Sequence, residues 1–233
     1  MLFDTNIIRG ASLKVRAFLA KPHIVREPAP VFEFQPAEGD NTDKDTINIV
    51  EDVLIKFNKE IVEALNELAC KAKRITSKEN NIITVVQENK DLGFVGTPTK
   101  INKELLIKTI KKNEVPVVAP LGSDKNNQTF NINADTAAGS IAIELKARRL
   151  IIMSDVEGVI DDNNELVSEM NSEKIHLYIE HDVIKGGMLP KILTCLDVAS
   201  NGVKGVVVID GRKNHSLLFE LLSDKGSGTL IRE

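Results

Sequence analysis

Gly186 and Gly187 stand just ahead of a helical stretch, with Lys191 one turn inside it. Glycines let a backbone approach an anion such as phosphate, the first amides of a helix are unpaired, and a lysine adds a full charge. A plain helix-entry turn followed by a solvated lysine fits the same spacing. A second group of polar residues lies between Asn131 and Ile160. Asp135, in the first turn of a helical pattern, serves either the helix dipole or the placing of cations near transferring phosphates. Asn131 and Asn133 are either turn formers or two-sided amides that hold a polar substrate. Ser154, Asp155, Val156, Glu157, Gly158, Val159 and Ile160 follow an apolar run. They form either an ordinary loop or a nucleotide-binding loop at a strand's carboxyl end. His176, His181 and His215 show no metal-ligand spacing with one another and read as surface or capping histidines. No residue set is assigned to a metal. The patterns GxxxxGK[ST], GxGxxG and GxSxG do not occur.

The elements that must position these residues can be read from spacing. Val115 to Ala119 is a short β-branched run punctuated by Pro116 and Pro120, which predicts a buried strand. From Ala134 the spacing turns helical, with Ala138, Ile141, Ala142 and Leu145 on one face. Leu150 to Met153 is a second apolar run. Two such strands joined through a helix predict a parallel βαβ unit with its loops at the strands' carboxyl ends. Upstream, Thr42 to Asp45 resembles a capping box opening a long helix, with Ile47, Val50, Leu54, Phe57, Ile61, Leu65 and Leu68 on its apolar face. Strands are predicted over 71–76, 82–87 and 92–97, and a helix capped by Asn102 runs to Lys112.

Beyond Ile160 comes a polar turn at 161–164, then a helix from Ser172. A further helix runs through Ala199, and a buried strand covers 204–209. The turn Asp210-Gly211-Arg212 follows, then a last helix and a glycine-rich turn over 226–229. In the proline-broken segment 1–41, Ser12 to Ala20 has room for two turns of helix. Alternating helices and strands imply an α/β fold, a three-layer αβα sandwich with a mainly parallel sheet.

Composition sets the outer bounds. With 42% hydrophobic and 27% charged residues, the 233-residue chain can bury a sizeable core. No Trp, one Tyr and a net charge of −4 argue against base-stacking platforms or a general pull toward nucleic acid. No apolar run approaches the ~20 residues that span a bilayer. The start of the chain lacks a signal-peptide core, because Arg9, Lys14 and Arg16 interrupt its apolar stretches. A cytoplasmic protein with no membrane partner is expected. Cys70 and Cys195 each fall within a predicted helix and are expected to be buried free thiols.

Taken in order, VPVVAPLG, NINADTAAG, LIIMSDVEGVID, VIKGGMLPKI and VVVIDGRKNHSLLFELLSDKGSGTLI resemble the N-acetylglutamate kinases of the amino-acid kinase superfamily. The segments NTDKDTINIVEDVLIKFNKEIVEALNEL and DLGFVGTPTKIN are similar to that family as well. The resemblance runs from about Asn41 to the C-terminus. It implies phosphoryl transfer from ATP to the side-chain carboxylate of N-acetyl-L-glutamate in arginine biosynthesis, with Mg²⁺ carried by the nucleotide and a homo-oligomeric assembly. Lys191 resembles the lysine that stabilises the transferring phosphoryl group, and Asp135 the aspartate that organises catalytic lysines. Asn131, with Asn133 beside it, falls at the acetylglutamate contact. Residues Ser154, Asp155 through Ile160 and Val183, Ile184 and Lys185 resemble the walls of the ATP site.

The family's opening strands carry a lysine–glycine–glycine loop and a second run of glycines, whereas Gly186-Gly187 is the only Gly-Gly pair here. PAEGDN stands where the family has a glycine-leucine-arginine stretch. The expected organisation is therefore an unmatched segment 1–41, a remnant of the amino-acid-substrate lobe over 42–114 and a nucleotide-binding lobe over 115–233. The alternative reading is a catalytically inactive truncated homologue that binds nucleotide or a partner subunit.

Overall fold

The structure is a computed structural model in which residues 42–233 are described. The Ser12–Ala20 helix, with the rest of the unmatched segment 1–41, lies outside them. The described residues fall into two compact units, 42–145 and 146–233.

The first unit opens with helix α1 (Lys44–Glu67). Its N-cap is Asp43 rather than Thr42. The Asp43 carboxylate accepts the Thr46 amide at 2.7 Å, and that bond holds the carboxyl below the usual carboxylate range. Thr42 instead bridges to Gly93. Ile47 and Val50 are buried as their spacing predicts, but Leu54, Phe57, Ile61 and Leu65 are only half-buried and Leu68 is exposed. Two polar residues share the inner face. Glu51 meets Lys78 Nζ at 3.4 Å and the Thr129 hydroxyl at 3.2 Å, and Asn58 Nδ2 donates to the Val117 carbonyl at 3.0 Å. Glu51 and the Asn58 Nδ2 are satisfied by these bonds, whereas the buried Asn58 Oδ1 has no hydrogen-bond partner.

Then follow β1 (Ala72–Ile75), α2 (Ser77–Asn80), β2 (Ile83–Gln87), β3 (Gly96–Ile101), α3 (Lys103–Ile110), β4 (Val115–Val118), β5 (Leu121–Ser123), β6 (Thr129–Asn131) and α4 (Ala134–Glu144). Strands β1 and β4 pair in parallel, and a second sheet has the order β3-β2-β5-β6. Pro116 is tolerated in β4 because the amides of Val115 and Ala119 bond back toward β1, so the missing N–H falls on the other edge. The strand expected over 92–97 starts later. Residues Lys90–Leu92 form a 3₁₀ turn capped by Asn89, Gly93 takes a φ of 65°, and only from Gly96 does the chain extend.

The parallel βαβ unit expected from Val115 to Met153 is not formed. Strand β4 pairs with β1, while β7 (Leu150–Ser154) belongs to another sheet in the second unit. The reason lies in α4. Its Ala137 and Ile141 pack into the first unit's core with Ile75, Ile83, Val85, Val118, Phe130 and Ile132. The two compact units part after Leu145, so β4 through α4 lie in the first unit.

The second unit continues with β8 (Glu169–Met170), α5 (Ser172–Glu180), α6 (Met188–Ser200), β9 (Val206–Asp210), α7 (Ser216–Leu222) and β10 (Gly228–Ile231). Its sheet order is β7-β9-β10-β8, parallel except between β9 and β10. Val206 to Ile209 are all fully buried, which explains the unbroken apolar run. Each such side chain contributes about 1.5–3 kcal/mol. Helices α6 and α7 both pack on β9. The turn expected over 226–229 is half strand. Gly228 enters β10, where a Cβ would lie 1.9 Å from the Val208 carbonyl oxygen, so no other residue fits.

The α/β class with parallel-rich sheets is the one expected. Neither cysteine is in a disulfide. Cys195 is buried on α6, but Cys70 lies past the end of α1 and is half-buried. Among the described residues no helix is long and apolar enough to cross a membrane.

Candidate functional site

In the first unit, the candidate residues sit where β6 hands over to α4. Asn133 is the N-cap of α4, its side-chain oxygen accepting the amides of Asp135 at 3.0 Å and Thr136 at 3.2 Å. That bond satisfies two of the helix's unpaired amides and fixes Asp135 in the first turn, 94% buried by its 6% exposure. Asn131 closes β6, with its amide bonded to the Phe94 carbonyl at 2.9 Å. Its side-chain Oδ1 is a buried acceptor without a hydrogen-bond partner. An acceptor in that condition suits a ligand that brings its own N–H or O–H donor.

In the second unit, the loop 154–160 springs from the carboxyl end of β7. Ser154 is buried and its hydroxyl donates to Asp155 Oδ1 at 3.3 Å, while Asp155 and Val156 are exposed. Glu157 pairs with Lys213 at 2.7 Å. Gly158 has φ +141°, a conformation L side chains rarely adopt, and Val159 behind it is buried. Ile160 opens a small hairpin by bridging to Leu166, with Asp161 Oδ1 accepting the amides of Asn163 and Glu165 at 2.9 Å each. The polar turn at 161–164 is the tip of that hairpin.

Next to this loop stands the Asp210-Gly211-Arg212 turn. Asp210 is buried and takes a bidentate pair from Arg212, with Nε to Oδ1 and Nη2 to Oδ2 both at 2.9 Å. The guanidinium holds the Asp210 carboxyl below the usual carboxylate range, although burial pushes the other way. Arg212 is raised chiefly by Asp210, with Asp155 and Glu157 adding to the negative field around it. Spacing alone reads Asp210-Gly211-Arg212 as a turn, and the pairing of Arg212 with Asp210 has no signal in it.

Val183, Ile184 and Lys185 follow α5. The amides of Val183 and Ile184 bond to the Tyr178 carbonyl at 2.9 and 3.0 Å, which buries Ile184 and leaves Lys185 exposed. Gly186 has φ +56°, and a Cβ at Gly186 or Gly187 would meet nothing within 4 Å. At the start of α6 two of the first amides already have partners within the turn. The Met188 and Leu189 amides are engaged by the carbonyls of Lys185 and Gly186 at 3.2 Å each, and Pro190 has no N–H. Lys191 itself is buried on α6, at 6% exposure. Asp135 belongs to the first unit and Lys191 to the second.

His176 is exposed, with Nδ1 2.7 Å from the Ser172 carbonyl of its own helix. Among the described residues no group of three or more His, Cys, Asp or Glu is placed to hold a metal ion. A divalent ion held mainly by nucleotide phosphates needs no such cage.

Comparison with known proteins gives the family of the chain. The Amino acid kinase family matches residues 10–210. The acetylglutamate kinase of Pelagibacter ubique is 80% identical over 192 residues, covering 82% of this chain and 67% of that protein. The acetylglutamate kinase of Ruegeria pomeroyi is 44% identical over the same shares. The chain thus spans about two thirds of the length of these curated relatives. A solved structure from Streptococcus mutans is 30% identical with a TM-score of 0.70, covering 82% of this chain and 73% of that one. The chain belongs to the amino acid kinase family, among the N-acetylglutamate kinases.

Proposed function

We propose that this protein transfers the γ-phosphoryl group of ATP to the side-chain carboxylate of N-acetyl-L-glutamate, a step of arginine biosynthesis. The observation that carries the reading is the 80% identity to an acetylglutamate kinase over 192 residues. In the reaction a carboxylate oxygen of the acceptor attacks the γ-phosphorus while the bond to the bridging oxygen of ADP breaks. Such a transfer needs little covalent chemistry and depends on positioning and charge neutralisation.

Each residue then has a distinct task. Lys191 supplies positive charge to the transferring group, and Asp135 takes the part of the family's aspartate that organises catalytic lysines. Asn131 offers its unsatisfied acceptor oxygen to a donor on acetylglutamate, a group its acetamide N–H provides. Asn133 contributes mainly by capping α4 and so placing Asp135. Residues 154–160 and 183–185 form the walls of the nucleotide site. Mg²⁺, arriving with the nucleotide, neutralises phosphate charge when bound. A cytoplasmic homo-oligomer acting on small molecules alone, without nucleic acid or membrane, completes the proposal.

Thermal stability with ligands tests it. ATP–Mg²⁺ and acetylglutamate should each raise the melting temperature, since a ligand that binds only the folded state stabilises by RT ln(1 + [L]/Kd). No shift with either ligand at concentrations far above a typical Kd would refute the reading.

A further inference from the structure

One buried hydroxyl anchors the loop 154–160 from outside its own strand. Thr229 of β10 is fully buried, and its Oγ1 accepts the Val159 amide at 2.8 Å. Gly158 packs so closely that a Cβ there would lie 2.4 Å from the same oxygen. Thr229 is itself fixed on both sides. It pairs with Val208 in the antiparallel β9–β10 ladder, and the preceding loop is tied to α7. Glu220, nearly buried, accepts the Ser227 amide at 3.0 Å while its other oxygen meets Arg149 at 3.4 Å, and the Ser227 hydroxyl donates to the Ser216 carbonyl at 2.8 Å. The loop is also held by the Val167 amide on the Val159 carbonyl at 2.9 Å and the Gly211 amide on the Ser154 carbonyl at 2.8 Å, and by the pair Glu157–Lys213, whose side chains are 45% and 49% exposed. An ion pair that open to water holds little.

We propose that Thr229 is a positioning residue for the nucleotide. Its hydroxyl fixes the turn at Gly158 and Val159 and so sets the affinity with which residues 154–160 hold ATP, acting through Val159. The inference rests on the reading of that loop as a nucleotide wall. Remove the hydroxyl and the Val159 N–H becomes a buried donor with no acceptor, a strain the loop relieves by opening. ATP must then reorder the loop when it binds.

The test is ATP–Mg²⁺ titration calorimetry on the full chain, wild type against Thr229→Val and Thr229→Ser, with amide hydrogen exchange at Val159. Thr229→Val should weaken ATP about tenfold, the effect of one lost buried hydrogen bond. Thr229→Ser, which keeps the hydroxyl, should restore wild-type affinity. Equal affinity of wild type and Thr229→Val, or a serine variant as weak as the valine one, overturns the proposal. If Thr229→Val does not fold, the wild-type protein still decides: a Val159 amide that exchanges as fast as the exposed residues 162–164 rules out the anchoring bond. Wild type that fails to bind ATP at all overturns the nucleotide reading itself, a result distinct from the failure of Thr229 alone.

Discussion

Ser154 and Asp210 stand opposite each other in register at the carboxyl ends of the parallel strands β7 and β9, and the Gly211 amide donates to the Ser154 carbonyl at 2.8 Å. This pairing places the Arg212 turn beside the 154–160 loop. Parallel strands put their loops on one side of a sheet, and ligands of open α/β sheets bind there. The consequences can be measured.

Asp210 sets a pH dependence. Its carboxyl titrates lower in the folded protein than in the unfolded chain, because Arg212 favours the ionised form. The stabilisation it adds is complete above the ordinary carboxylate range and is lost as pH falls through its depressed value. Asp210→Asn should therefore melt below wild type at neutral pH, and the gap should close as the solution is acidified below the usual range. Melting curves of the two proteins across that window read the effect.

Gly158→Ala places a side chain at φ +141° and against Thr229. Backbone strain of this kind is worth about 1–3 kcal/mol. A chain of this size should lose about 2–4 °C of melting temperature per kcal/mol. Calorimetric unfolding checks it, and ATP affinity should fall with it.

Gly122 on β5 lies under Val85, and a Cβ would come within 2.2 Å of Val85 Cγ1. Gly122→Ala should destabilise by about 1–3 kcal/mol through overpacking. Adding Val85→Ala should recover part of the loss, because contacting residues couple. Urea denaturation of both single variants and the double variant measures that coupling.

Asn133→Ala removes the cap of α4 and should lower stability by about 1 kcal/mol, whereas Asn133→Asp should preserve it. Thermal unfolding of the two variants, compared with their turnover, separates the capping role from any contact with substrate.

The legible parts of the fold were those written in local spacing. Asn102, the helix from Ser172 and the buried run ending at Ile209 fall where periodicity places them. The partner of each strand was not legible. β4 and β7 carry similar apolar runs, yet their sheets are decided by where Ala137 and Ile141 bury, a long-range fact. The buried polar residues Glu51 and Asn58 escaped notice for the same reason, since their partners lie on Lys78, Thr129 and Val117. At the site, the polar loop after β7 was visible as a motif. Its anchor on Thr229, seventy residues along the chain, has no local signal and appears only once β10 pairs with β9.

Phosphoryl transfer to acetylglutamate is tested most directly by ADP release in a coupled assay. With ATP–Mg²⁺ present, wild-type protein should release ADP only when N-acetyl-L-glutamate is added, and Lys191→Ala should lower that rate by about 10²–10³. Absence of acetylglutamate-dependent ADP release from folded, ATP-binding protein, or a Lys191→Ala rate equal to wild type, would contradict it.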